Sequence, residues 1–169
     1  MSERQSRPIW KMSAGRLKNP SKEPPFWKYF KEYGFIAFGD YGEGDLRQYS
    51  NYNALLSKLN AIREPTRSHC TATWYWQFKE EVKEEEDFVI VYSRNTIWGV
   101  GIINGKYYYR GDQLGAGVED YTFPHRRDVE WKSTKPVTNE ELSVLKNPQQ
   151  TFFRLSQAQE KIVRKIVQL

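Results

Sequence analysis

Asp87-Phe-Val-Ile-Val-Tyr-Ser-Arg-Asn-Thr-Ile-Trp-Gly-Val-Gly-Ile-Ile-Asn-Gly105 is the stretch whose reading decides the fold. Phe88 to Tyr92 and Thr96 to Ile103 are rich in β-branched and aromatic residues, which suit a pleated, half-buried surface. Ser93-Arg94-Asn95 between them is a short polar turn. The stretch therefore predicts two adjacent β-strands. Gly99 and Gly101 stand two apart, so both fall on one face of the second strand. A strand that gives up side chains there either bends into a tight curve or offers its backbone as a wall for a flat ligand.

Around this hairpin, 169 residues are enough for one domain with a sizeable core. No run of 18 apolar residues occurs, and the polar, basic N-terminus lacks the apolar core of a signal peptide. With one cysteine, Cys70, no internal disulfide can form, which suits a reducing cytoplasm. Cys70, His69 and His125 lack zinc-site spacing, and no cofactor or metal is expected. The net charge is +5, distributed unevenly: residues 1–72 carry 12 Lys/Arg against 7 Asp/Glu, residues 73–90 carry 2 against 6, and residues 91–169 carry 12 against 8. A basic excess favours a polyanionic partner. Aromatic residues make up 15% of the chain, enough to fill a core and leave some for a stacking surface.

Along the chain, residues 1–8 read as a disordered tail and Ile9 to Ser13 as a first strand. Gly15 to Pro25 is a basic loop with Arg16, Lys18 and Lys22. Phe26 to Tyr33 has helical spacing and stops at Gly34. Phe35 to Gly39 reads as a buried strand, and Asp40 to Gly44 as a loop. Asp45 is expected to cap one helix running to about Arg63, followed by a loop from Glu64 to Cys70. Ala72 to Lys83 fits both strand and helix periods, and helix is favoured. The acidic run Glu84 to Asp87 reads as a solvated turn. Phe123 to Trp131 is the last strong strand, and Thr138 with Glu141 matches a capping box. Ile162, Val163, Ile166 and Leu169 form the apolar stripe of a helix over residues 156–169.

No nucleophile–base–orienter set is legible, and Gly111 to Gly117 lacks the Lys-Ser/Thr of a phosphate loop. The chain is therefore expected to bind and not to catalyse. Basic loops and surplus aromatics suit a nucleic acid: cations neutralise phosphates, and aromatics stack on a base drawn out of the duplex. Extrusion costs a few kcal/mol, and stacking returns about 1–3 kcal/mol per base.

Several motifs occur in a fixed order: Ile-Trp-Lys-Met-Ser-x-Gly, Phe-Trp, Gly-Phe-Ile-Ala-Phe-Gly-Asp, Trp-x-Phe-x-x-Glu-Val, Ile-Trp-Gly-Val-Gly-Ile-Ile-Asn-Gly-x-Tyr-Tyr and His-Arg-Arg-Asp-Val-Glu-Trp. Over about residues 9–155 this resembles the EVE/YTH-like branch of the PUA-like superfamily, and in particular the N-terminal DNA-recognition domain of archaeal McrB-type, modification-dependent restriction enzymes. The resemblance implies an α+β fold with a curved, mixed, β-barrel-like sheet flanked by helices. It implies a pocket for one flipped methylated base, N6-methyladenine before methylcytosine, in double-stranded DNA. Lys11 and Ser13 match the Lys-Ser of the first strand in YTH relatives. Their tryptophan after the second strand is missing, and Phe38 or Tyr41 stands in for it. Tyr121 or Phe123 would be a further cage aromatic, Trp98 lies beside the glycines, and Asp40 would accept a base N–H. Lys11, Arg16, Lys18, Arg47, Arg63, Arg67 and Arg94 are the cations expected on phosphates.

The terminal helix would lead to a GTP-dependent motor that oligomerises and recruits a nuclease; neither motor nor nuclease motifs occur in this chain. The competing expectation is an RNA-binding YTH- or PUA-like module, reading 2′-hydroxyls.

Overall fold

The hairpin forms the middle of the sheet. In the computed structural model, which describes residues 7–15, 22–111, 123–147 and 151–169, the chain runs β1 (Ile9–Met12), α1 (Trp27–Tyr33), β2 (Phe35–Phe38), α2 (Tyr52–Ile62), α3 (Pro65–Trp76), β3 (Phe88–Ser93), β4 (Thr96–Ile103), β5 (Tyr108–Tyr109), β6 (His125–Ser133), β7 (Val137–Thr138), β8 (Phe152–Arg154) and α4 (Gln157–Val167). Arg94 and Asn95 both take positive φ, 48° and 61°, the backbone of a tight two-residue hairpin turn. The strand order is β2-β6-β4-β3-β1-β8, with β5 added to β6 and β7 to β4. β1 is parallel to β3 and the other pairs are antiparallel, so the sheet is mixed.

The sheet curls strongly enough that side chains from its two edge strands meet inside it. Phe38 of β2 and Phe152 of β8, at opposite ends of the strand order, have ring centroids 5.7 Å apart, with Phe78 edge-on to both. Register shifts at Val91/Tyr92 and at Val100/Gly101 supply the bend. This is the expected α+β class with a curved, barrel-like mixed sheet and flanking helices. One core fills the inside of the curl; a second, built on Ile9, Ile90, Ile97, Leu142 and Val163, lies on the outer face beneath α4.

The glycine face belongs to the protein itself. A Cβ on Gly99 would stand 2.1 Å from Trp27 Cη2, and one on Gly101 would stand 2.4 Å from Val129 Cγ1. The flat group laid against this strand is thus the Trp27 indole, and the ligand-wall reading of the two glycines is corrected.

Four local expectations also change. Asp45 caps only a 3-10 turn, Leu46–Gln48; Asn51 caps α2. The expected loop 64–70 is helix, because Pro65 sits in its first turn, where no backbone N–H is needed. α3 then continues through a π-helical turn, Gln77–Glu81, that drives Phe78 into the curl. Asn139, not Thr138, caps the 3-10 helix Glu140–Leu145, while Thr138 pairs with Thr96 in the sheet. In the acidic run Glu84–Glu86 are exposed, but Asp87 is buried and accepts the Trp10 indole N–H at 2.7 Å.

Of the expected disordered tail, residues 1–6 lie outside the described residues, whereas the Pro8 carbonyl accepts the Phe88 N–H at 2.9 Å and so joins the sheet. Among the described residues no helix is long and apolar enough to cross a membrane.

Candidate functional site

β2 ends at Phe38, and the chain turns through residues 39–45 over the start of β6. Two carboxylates shape this loop. Asp40 Oδ1 accepts the N–H of Gly42 at 2.6 Å and that of Gly44 at 3.4 Å, and Oδ2 accepts the Tyr109 hydroxyl at 2.6 Å. Glu43 points inward and is only 2% exposed. Its Oε2 accepts the Tyr41 N–H at 2.9 Å, and its Oε1 lies 2.8 Å from Nε2 of the fully buried His125.

His125 Nδ1 is 2.8 Å from the Tyr107 hydroxyl, which also accepts the Leu46 N–H at 3.1 Å. With its oxygen taking that N–H, Tyr107 is free to donate to Nδ1, which leaves the Nε2–H to donate to Glu43. The Tyr75 hydroxyl donates to the Gly39 carbonyl at 2.5 Å. Asp40, Glu43 and His125 bring polar atoms within 4.8 Å of one another, and each of these atoms has a protein partner.

These contacts set the charges. Burial would raise the Asp40 carboxyl, but the hydrogen bonds from Tyr109, Gly42 and Gly44 together hold it below the usual carboxylate range. The bond to Asp40 and then burial push the Tyr109 hydroxyl up to about 12. Burial, then the nearby Glu43, raises Tyr75 well above a free tyrosine. At neutral pH the loop therefore presents an ionised Asp40 among protonated tyrosines.

Outside this network stands Tyr41, 49% exposed. The Arg63 guanidinium lies 3.7 Å from its ring centroid and also donates to Thr71 Oγ1. Ile62, just before Arg63, is a second exposed apolar group at this rim and lies next to Gly42. Arg67 is exposed in the first turn of α3. Arg47 is exposed but paired with Asp45 at 2.5 Å. A cleft of about 300 Å³ beside Tyr107 is lined by Arg47, Lys79, Lys106 and Arg127 and also by Glu80 and Glu84.

The residues expected in the site thus separate. Asp40, Tyr41 and Arg63 come together at the loop, with Arg47 next to Asp45. Phe38 does not offer a stacking face: it is 5% exposed and edge-on to Phe78 and Tyr75. Phe123 is similarly buried, edge-on to Phe26 at 4.6 Å. Trp98 packs against the inner core with its indole nitrogen buried. Ser13 is half-buried, its N–H bonded to the Thr151 carbonyl.

Lys11 is not a rim cation. It is 3% exposed, with Nζ 5.1 Å from the Phe153 ring and 5.7 Å from Tyr92, and burial lowers its amine to about 8. Arg94 sits in the β3–β4 turn; because β4 and β6 are antiparallel, that turn is at the opposite end of the strands from His125. Arg16, Lys18 and Tyr121 lie outside the described residues.

Sequence reasoning missed Glu43, Tyr75, Tyr107, Tyr109 and His125. A signal for three of them was present: Tyr107 and Tyr109 alternate onto one strand face, and a histidine that begins a buried strand needs partners for both ring nitrogens.

A curled α+β sheet with a polar, hydrogen-bonded loop at one end defines the class of domain. The chain belongs to the family described as "Domain of unknown function (DUF8426)", whose profile matches residues 10–156. Comparison with curated proteins finds no match. Among solved structures the chain is similar to the YTH domain of Zygosaccharomyces rouxii MRB1 protein, solved in complex with N6-methyladenosine RNA: TM-score 0.47, 12% identity, covering 96% of this chain and 86% of that one.

Proposed function

We propose that this domain is a non-catalytic nucleic-acid reader that takes one unpaired, methylated base at the 39–45 loop. The carrying observation is the acceptor count at Asp40. Its Oδ1 already takes two N–H groups and its Oδ2 takes one hydroxyl, so a single acceptor position remains on Oδ2. That position lies next in sequence to the exposed Tyr41–Arg63 stack. A base extends the stack through its π-face while its exocyclic N–H donates to Asp40.

N6-methyladenine has one exocyclic N–H left where adenine has two, which suits a single open acceptor. Its methyl group adds about 0.8 kcal/mol if buried. Arg63 and Arg67 reach the flanking phosphates. The favoured setting is duplex DNA, with the domain acting as the specificity module of a modification-dependent restriction system whose motor domain oligomerises and recruits a nuclease.

Fluorescence anisotropy with matched short duplexes and single strands, in DNA and RNA, carrying adenine, N6-methyladenine, cytosine or 5-methylcytosine, tests this reading. Tighter binding to the N6-methyladenine duplex is expected, about fourfold from burial of the methyl group. Equal affinity for modified and plain oligonucleotides refutes base reading, and tighter binding to the RNA forms moves the target to RNA.

A further inference from the structure

We infer that the buried Glu43–His125 pair, backed by Tyr107, is the positioning element that holds the 39–45 loop in its ligand-accepting shape. This rests on the reading of that loop as the base site. Four observations converge on it. Glu43 is at once a residue of the loop and a buried side chain beneath it, 2% exposed. Its two oxygens join the Tyr41 N–H on the loop to His125 on β6, 82 positions away in sequence. His125 cannot shift, because Phe38 pairs with it on one edge of β6 and Tyr109 on the other. Finally, Tyr107 clamps the far side of the loop by accepting the Leu46 N–H while contacting the same imidazole.

The consequence is mechanical. Tyr41 and Asp40 touch the proposed ligand, yet the Tyr41 backbone is anchored through Glu43. With that anchor gone, Tyr41 and Asp40 would have to be ordered at the moment of binding, and the lost freedom would come out of the affinity. Glu43 and His125 themselves touch no ligand; they act through the loop.

The chemistry also supplies a conservative rescue. A glutamine at position 43 accepts the Tyr41 N–H with its carbonyl and donates its NH₂ to His125 Nε2. The imidazole then carries its proton on Nδ1 and donates it to the Tyr107 oxygen, whose own proton turns toward Asp45 Oδ1, 3.5 Å away. An alanine at 43 can do none of this.

The test measures backbone amide exchange, imidazole ¹⁵N shifts and oligonucleotide affinity in wild type, Glu43→Ala and Glu43→Gln. For Glu43→Ala, exchange at Tyr41 and Gly42 should speed up at least tenfold while Ile90 and Val91 stay protected, and affinity for the methylated duplex should fall at least tenfold. For Glu43→Gln, loop exchange and affinity should stay within about threefold of wild type, with His125 showing the opposite tautomer. If Glu43→Ala does not fold, Tyr107→Phe takes its place, with a smaller change expected in the same direction.

A loosened loop with wild-type affinity, or an unaltered loop, overturns the inference while leaving the base-reading proposal standing. A wild-type protein that binds none of the oligonucleotides removes that proposal, and with it the ligand half of the inference; the exchange arm still decides whether the pair holds the loop.

Discussion

The six-membered ring of Trp27 occupies the space in which a side chain at Gly99 would stand: a Cβ there would lie 2.1 Å from Cη2 and 2.8 Å from Cζ3. Trp27 is fully buried and meets Trp131 edge-on, so it has no room to retreat. Gly99→Ala should therefore overpack the inner core and cost about 1–3 kcal/mol. At this chain length that lowers Tm by about 2–4 °C per kcal/mol. Gly111→Ala, with nothing within 4 Å, is the control and should leave Tm unchanged. Differential scanning calorimetry of the two variants checks the contrast.

Tyr41→Ala separates stacking from folding. The ring is about half exposed; the Arg63 guanidinium lies over it, and the Tyr75 ring stands tilted with its centroid 6.4 Å away. Affinity for the methylated duplex should fall about 5- to 150-fold, the loss of about 1–3 kcal/mol of stacking, with Tm within a degree or two of wild type. Anisotropy and calorimetry on the same preparation decide it: equal weakening toward plain and methylated DNA would mean Tyr41 contacts backbone only.

Salt reports the phosphate contacts. Each phosphate neutralised on a duplex contributes about 0.9 to the slope of log affinity against log salt. Arg63→Gln and Arg67→Gln should each reduce that slope by about one. Arg94→Gln should leave it alone, since Arg94 is at the other end of the strands. Titrations at four salt concentrations give the slopes.

Lys11 predicts a pH signature of stability. Its folded amine titrates near 8, lowered by burial, while an unfolded lysine titrates near 10.5. Between these values the unfolded chain binds more protons, so stability rises with pH across that window, and below it the folded state bears the cost of a buried charge. Raised tyrosines act oppositely above about 10, because their folded forms keep the proton longer. Subtracting the Lys11→Met stability curve from that of wild type isolates the lysine. The difference should shift in favour of wild type by about 3 kcal/mol between pH 8 and 10.5.

Asp40 behaves the other way. Its folded carboxyl is held below the ordinary value, so it adds stability above the unfolded value, about 3.9, that is lost as pH falls through the folded one. Tyr109→Phe removes one of the bonds responsible, at 2.6 Å. Side-chain carbonyl NMR should show Asp40 titrating at higher pH in the variant, and the acid limb of the stability curve should move up with it.

By itself the sequence determined the elements whose signals are local. The β-branched runs either side of Ser93-Arg94-Asn95 make a hairpin, the spacing of Phe26, Trp27 and Phe30 makes a helix that stops at Gly34, and the C-terminal stripe makes α4. It also marked Gly99 and Gly101 as facing one way, since strand geometry has period two. It is ambiguous where a signal has two meanings: Pro65 suits a loop equally well, yet it begins α3 because a first turn needs no proline N–H.

What covers the glycines, where Lys11 points and which residues surround Asp40 were decided only by tertiary structure. Trp27 reaches Gly99 from 72 positions upstream, and Glu43 reaches His125 across 82. Such contacts carry no periodicity, because they exist only once the curl has brought the end of β2 and the start of β6 together. A buried carboxylate, imidazole and phenol must then satisfy one another; the local sequence shows that His125 needs partners but not which, and their meeting shapes the loop that carries Asp40 and Tyr41.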